Sequence, residues 1–161
     1  MEQILRILEK NAFLTNAQLA AMLGEPEEKI AAARAAYEKD GTICGYQALI
    51  NWNKLETEYL EAFIEVCITP KAALGFEGVA EMIAGFDEVE SVYLISGGYD
   101  LMVTVAGRSF HEVAMFVSKR LAPMESVTST STHFVLRRYK KDGVLLTLPD
   151  EGDERSDLPL C

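Results

Sequence analysis

The chain has 161 residues, 49% hydrophobic and 25% charged, a balance that builds a packed core and excludes disorder as the dominant state. Fifteen Lys and Arg stand against 25 Asp and Glu, a net charge of −10, so no chain-wide basic field exists to hold a nucleic acid or an anionic membrane, and any DNA contact must be local. The start Met1-Glu2-Gln3 lacks a basic region followed by an apolar one, and no apolar run approaches the roughly 18 residues of a membrane helix, so the expected location is cytoplasmic.

Cys44, Cys67 and Cys161 are odd in number and lack C-x-x-C spacing, which argues for reduced thiols over a disulfide framework or a zinc site. His111 and His133 are the only histidines, too few for a His-rich metal centre. No catalytic residue, metal or cofactor is expected.

Residues 1–50 read as three short helices and an extended piece. Ile4, Leu5 and Leu8 have helical spacing. Thr15 and Gln18 form a capping box that opens the second helix, Leu19, Ala20 and Leu23 are its apolar stripe, and Gly24 suits a left-handed end. Pro26 suits the first position of a third helix, Glu27 and Glu28 suit its positive end, and Ile30, Ala33 and Tyr37 share a face that closes at Gly41. Two helices joined by a short Gly-containing turn have helix-turn-helix spacing. Residues 42–48 read as a strand or wing.

Residues 51–57 read as a linker, after which the hydrophobic period changes to two: Leu60, Ala62, Ile64, Val66 and Ile68 on one side, Tyr59, Glu61, Phe63, Glu65 and Cys67 on the other, with Pro70 ending the strand. Phe76, Val79, Ala80 and Ile83 mark a helix, 89–96 and 101–106 a hairpin around Gly97-Gly98. Ser109 and Glu112 cap a helix carrying Phe110, Val113, Ala114, Val117 and Leu121. Residues 127–138 are strongly β-prone and 144–148 read as a short edge strand. The order β-α-β-β-α-β is ferredoxin-like, giving a domain at 58–148, followed by an acidic, disordered tail at 149–161.

Right-handed crossovers put both helices of such a unit on one sheet face and leave the other bare. Tyr59, Phe63 and Cys67 lie on that bare face, which predicts a symmetric partner packed sheet on sheet and an obligate dimer.

Ser96-Gly97-Gly98-Tyr99-Asp100 offers close backbone N–H groups, a hydroxyl and a carboxylate, which suit the ammonium and carboxylate of a free amino acid; the same residues also make an ordinary hairpin turn. Five hydroxyl residues, Thr128 to Thr132, precede His133; Ser129, Ser131 and His133 share one side and the threonines the other, as cross-strand pairs or as a polar wall for a zwitterion.

On the third helix the outward face carries Glu28, Ala31, Ala32, Ala35 and Lys39, with Lys29 and Arg34 completing the expected DNA-contacting set. Alanine packs on thymine methyls and an acid accepts from cytosine, but residues 1–50 hold five Lys and Arg against seven Asp and Glu, net −2, so binding should be weak and salt-sensitive unless several units act together. Arg137-Arg138-Tyr139-Lys140-Lys141 is the one dense basic run, read as a solvated strand end, a phosphate contact or a partner for the acidic tail.

The ordered set of Leu19-Ala20, Glu38-Lys39-Asp40-Gly41-Thr42-Ile43-Cys44-Gly45-Tyr46, Gly98-Tyr99-Asp100-Leu101 and Val127-Thr128-Ser129-Thr130 before Phe134-Val135-Leu136 resembles the leucine-responsive regulatory protein (Lrp/AsnC) family of transcription factors, over nearly everything to about residue 146. The resemblance implies an α+β chain, an N-terminal winged helix-turn-helix joined to a ferredoxin-like domain that dimerises and often builds octamers. It implies promoter DNA as one partner and an amino acid or related metabolite, bound between neighbouring C-terminal domains, as the other. By position the effector residues are Gly97, Gly98, Tyr99 and Asp100, with Ser129, Thr130 and Ser131. The chain departs from the family in its alanine-rich third helix, which leaves open an amino-acid sensor that has lost DNA binding and works through protein partners.

Overall fold

The structure, a computed structural model, describes residues 2–55, 58–69 and 75–146. The chain divides into two compact units with the break between Ile50 and Asn51. The expected acidic tail, residues 147–148 and Pro70 lie outside the described residues.

The first unit is α1 (Glu2–Lys10), α2 (Asn16–Leu23) and α3 (Glu27–Lys39) around Ile4, Leu8, Leu19, Ala20, Ile30 and Ala33. The capping box at α2 forms both ways, with the Thr15 hydroxyl accepting from Gln18 N and Gln18 Oε1 accepting from Thr15 N. Gly24 ends α2 at φ 66°, a left-handed conformation that a β-carbon disfavours, and this turn sets α3 across α2. Pro26 sits one residue before α3 with extended ψ instead of opening it. Residues 44–50 form no strand: the segment has no neighbouring strand to pair with in its unit, so the expected wing does not form.

The second unit opens with one turn of 3-10 helix (Trp52–Lys54), inside the stretch read as a linker, whose Glu56 and Thr57 are not described. Then follow β1 (Leu60–Ile68), α4 (Gly75–Ala84), β2 (Val89–Leu94), β3 (Leu101–Gly107), α5 (Phe110–Phe116) running into a widened π turn (Val117–Leu121), and β4 (Val127–Phe134). The sheet order is β2-β3-β1-β4, with every neighbouring pair antiparallel. Ala62, Ile64, Val66 and Ile68 on β1 and Leu101, Val103 and Val105 on β3 meet Val79 and Ile83 of α4 and Val113, Phe116 and Leu121 of the α5 region in one buried core. Both helices therefore lie on one face, as right-handed crossovers require.

Two expectations for the second unit also need correction. Ser109 caps α5 by accepting from Glu112 N, but Glu112 Oε2 accepts from Arg108 N, so the reciprocal half of that box is displaced by one residue. The stretch read as an edge strand at 144–148 instead gives β6 (Val144–Leu145), which pairs with β5 (Lys140–Lys141). Asp142 and Gly143 both take positive φ, 47° and 82°, the geometry of a two-residue hairpin turn that an Asp-Gly pair favours, so this segment closes on itself and does not extend the main sheet.

Candidate functional site

The loop between β2 and β3 is built by Asp100. Its N–H donates to Val66 O at 3.1 Å, its carbonyl accepts from Ile95 N at 2.8 Å, and its Oδ2 accepts from Ile68 N at 2.7 Å. Asp100 therefore ties the loop to the end of the central strand before it does anything else, leaving Oδ1 for another partner. Gly97 and Gly98 are exposed and Tyr99 is half-buried. Neither glycine has positive φ, and a β-carbon built at Gly98 would meet no heavy atom within 4 Å, so nothing inside the chain demands a glycine there.

On the other side of β1, Val66 pairs with Thr130, Cys67 with Ser129 and Glu65 with Ser131. The loop and the start of β4 thus converge on the last residues of β1 from opposite sides. The three hydroxyl residues do not make one wall. Thr130 stands on the core side with Val66, whereas Ser129 and Ser131 stand on the helix-free face beside Cys67 and Glu65. A bulge between Cys67 and Ile68 lets the Thr128 hydroxyl donate to Cys67 O at 3.0 Å, closing that end of the sheet.

The helix-free face carries Phe63, Tyr93 and Met102, with Phe63 40% and Tyr93 55% exposed. Glu65, His133 and Ser131 form a polar group on it, with His133 Nε2 3.4 Å from Glu65 Oε1 and 3.2 Å from Ser131 Oγ. Sequence reading missed the structural role of Glu61. It lies on this face, yet is buried, paired with Arg138 and 4.0 Å from Lys141 Nζ. Arg138 also donates to the Tyr59 hydroxyl at 3.2 Å and lies 4.9 Å from its ring, and Tyr59 stacks on Trp52 at 5.2 Å. Trp52, Tyr59, Glu61 and Arg138 line a cavity of about 190 Å³. Burial pushes the Tyr59 hydroxyl above its ordinary pKa, while Tyr59 and Glu61 hold the Arg138 guanidinium charged against the cost of its own burial. The basic run is therefore not a simple solvated strand end. The signal was an acid on the apolar first strand, which needs a cation in a distant segment.

In the first unit, α3 exposes Glu28, Lys29, Ala32, Ala35 and Lys39. Lys29 is held by Glu25 at 2.8 Å. Arg34 is not on that surface: its side chain is 20% exposed, its Nη1 donates to Leu14 O, and its Nε donates to Tyr46 Oη and lies 3.4 Å from Glu38 Oε1. Of the expected DNA-contacting set the structure thus exposes Glu28, Lys29, Ala32, Ala35 and Lys39, with Arg34 turned inward. Asp40, just past the helix, has its carboxyl held below the usual range by the Thr42 N–H and hydroxyl.

Among the described residues no group of three metal-ligating side chains occurs, and no helix is long and apolar enough to cross a membrane. Residues 61–145 match the family described as the Lrp/AsnC ligand binding domain. The chain is 43% identical to the HTH-type transcriptional regulator YugG of Bacillus subtilis (strain 168) over 150 residues, 92% of this chain and 90% of that one. Among solved structures it is similar to the transcriptional regulator NMB0573 of Neisseria meningitidis in complex with L-Met (TM-score 0.68, 25% identity, covering 86% of this chain and 88% of that one). It shares its fold with AsnC of E. coli (TM-score 0.64, 24% identity, covering 86% and 91%).

Proposed function

We infer a mechanism from one premise: the chain belongs to the Lrp/AsnC family of transcriptional regulators. Its first unit binds promoter DNA in the cytoplasm and its second binds a free amino acid or close relative, whose occupancy alters DNA affinity. The observation that carries this reading is the convergence of the Gly97-Gly98-Tyr99-Asp100 loop and the Ser129-Thr130-Ser131 stretch on the end of β1 within a ligand binding domain. Glycines that their own backbone and neighbours do not require leave main-chain N–H groups open to a carboxylate, and the free Oδ1 of Asp100 suits an ammonium. The neighbouring structure with L-Met supports an amino acid as the class of ligand.

The helix-free face supports a dimer in which a second copy covers Phe63, Tyr93 and Met102. Two such dimers or more multiply the weak contacts of each α3, which offers Lys29 and Lys39 to phosphates and Ala32 and Ala35 to thymine methyls. Linkage then makes effector binding and DNA binding alter one another by a common factor. The test is thermal unfolding of the full chain with each of the twenty amino acids in turn. One or a few should stabilise the second unit by about 2.7 kcal/mol at a hundredfold excess over Kd. Stabilisation by none of them, with DNA retained, removes the amino-acid reading; ligand binding without DNA retention supports a sensor that acts through protein partners.

A further inference from the structure

Arg34 looks like a base reader in the sequence and behaves as something else in the structure. Glu28, Ala32, Ala35 and Lys39 fall within about 60° on the helix, and Arg34 lies about 100° round from Ala35. Its Nη1 donates to Leu14 O at 3.1 Å, in the turn just before the α2 cap. Its Nε donates to the Tyr46 hydroxyl at 2.9 Å and lies 3.4 Å from Glu38 Oε1. The Tyr46 hydroxyl in turn donates to Glu38 Oε1 at 2.7 Å, and the guanidinium stands 5.0 Å from the Tyr46 ring. Three separate pieces of the unit, the α1–α2 turn, α3 and segment 44–50, meet at this one side chain.

That segment has little else to hold it. Among the described residues its backbone N–H and C=O groups make no backbone hydrogen bond, and the Cys44 thiol on Gly41 O is its other side-chain tie. It is also the covalent link to the second unit, since the break between units falls at Ile50.

We propose that Arg34 is a positioning residue: with Glu38 and Tyr46 it clamps segment 44–50 onto α3 and so fixes the direction in which the chain leaves the DNA-binding unit. A fixed exit gives the recognition helices of an oligomer a defined separation, and hence a preference for half-sites spaced by whole turns of DNA; this consequence rests on the DNA-binding reading above. A freely hinged exit tolerates any spacing that the tether can reach.

The clamp is read directly by a nitroxide on Leu49→Cys in the full chain carrying Cys44→Ser, Cys67→Ala and Cys161→Ser. Tyr46→Phe, which keeps the ring and removes the hydroxyl, and Arg34→Met should both sharpen the spectrum, and Lys39→Ala should not. An unchanged spectrum in both clamp variants overturns the proposal, and Tyr46→Phe guards against an Arg34→Met chain that fails to fold.

The consequence is read on duplexes bearing two copies of the best half-site recovered from a randomised duplex pool, spaced by about 21 or about 16 base pairs. The parent chain should prefer the phased duplex by about tenfold or more, and both clamp variants should lose most of that preference with an unchanged salt slope. If Arg34→Met alone weakens binding and lowers the slope by about one, Arg34 is a phosphate contact and the proposal fails. If the parent retains no duplex, the DNA-binding reading fails, and the nitroxide spectra alone decide whether the clamp exists.

Discussion

Replacing Asp100 separates what the Gly-Tyr-Asp loop does for the fold from what it does for a ligand. Asp100→Ala removes the acceptor of the Ile68 N–H, a 2.7 Å bond at a residue that is almost fully buried. Leaving such a donor without a partner costs about 1–3 kcal/mol, and in a unit of this size about 2 kcal/mol lowers Tm by about 8–16 °C. Asp100→Asn keeps an amide oxygen in place and forfeits only the charge assistance, so its cost should be about 1 kcal/mol or less. Ser96→Ala, an exposed change in the same loop, should stay within about 0.5 kcal/mol. Trp52 is the only tryptophan and belongs to the second unit, so its fluorescence follows this transition on heating. Asp100→Ala unfolding within about 0.5 kcal/mol of the parent, or Asp100→Asn proving as costly as Asp100→Ala, would refute the assignment of Asp100 as the tie between loop and strand.

Three further outcomes are expected. Phe63→Lys puts a charge in the centre of the helix-free face and should yield monomers by light scattering, with the monomer's circular dichroism unchanged; a dimer of unaltered strength means that another surface pairs the copies. Thr15→Ala removes the α2 cap and should destabilise the first unit by about 1 kcal/mol, seen as an earlier loss of helical signal, while Trp52 fluorescence melts unchanged. Burial raises the Tyr59 pKa in the folded chain, so the stability it contributes is complete below the unfolded value of about 10 and is lost as pH climbs through the folded value. Ionised Tyr59 quenches the stacked Trp52, and the component of quenching that Tyr59→Phe abolishes should therefore titrate above pH 10; a midpoint at or below that value contradicts the burial argument.

The parts of the fold that were legible in the sequence are those set by short-range chemistry. Thr15 and Gln18 sit three apart and satisfy each other's backbone, Gly24 meets a left-handed turn, and the alternation from Leu60 to Ile68 sorts one sheet strand into core and helix-free faces. Asp142-Gly143 is an equally local hairpin signal, but Lys140-Lys141 before it reads as part of a basic run and only residues 144–148 after it as a strand, so the pairing does not stand out. What stayed hidden depends on contacts distant in sequence. Arg34 is a third-helix arginine by its spacing, and only the approach of Leu14 and Tyr46 turns it inward. Glu61 reads as a solvated strand position until Arg138, 77 residues away, arrives beside it. Asp100 looked free to meet an ammonium because the N–H it accepts belongs to a strand 32 residues earlier. The division of Ser129 and Ser131 from Thr130 follows from the two-residue strand period, but which of the two sides faces the core is set by the pairing of β4 with β1.

The central claim is that a small molecule held at the Asp100 loop governs DNA binding by α3. The most direct test is retention of genomic DNA fragments by the parent chain and by Asp100→Asn, with and without each of the twenty amino acids, at low and moderate salt. The account expects salt-sensitive retention by both chains and a shift by one or a few amino acids in the parent that Asp100→Asn loses. Retention of no fragment at any salt, or an equal shift in Asp100→Asn, would contradict it.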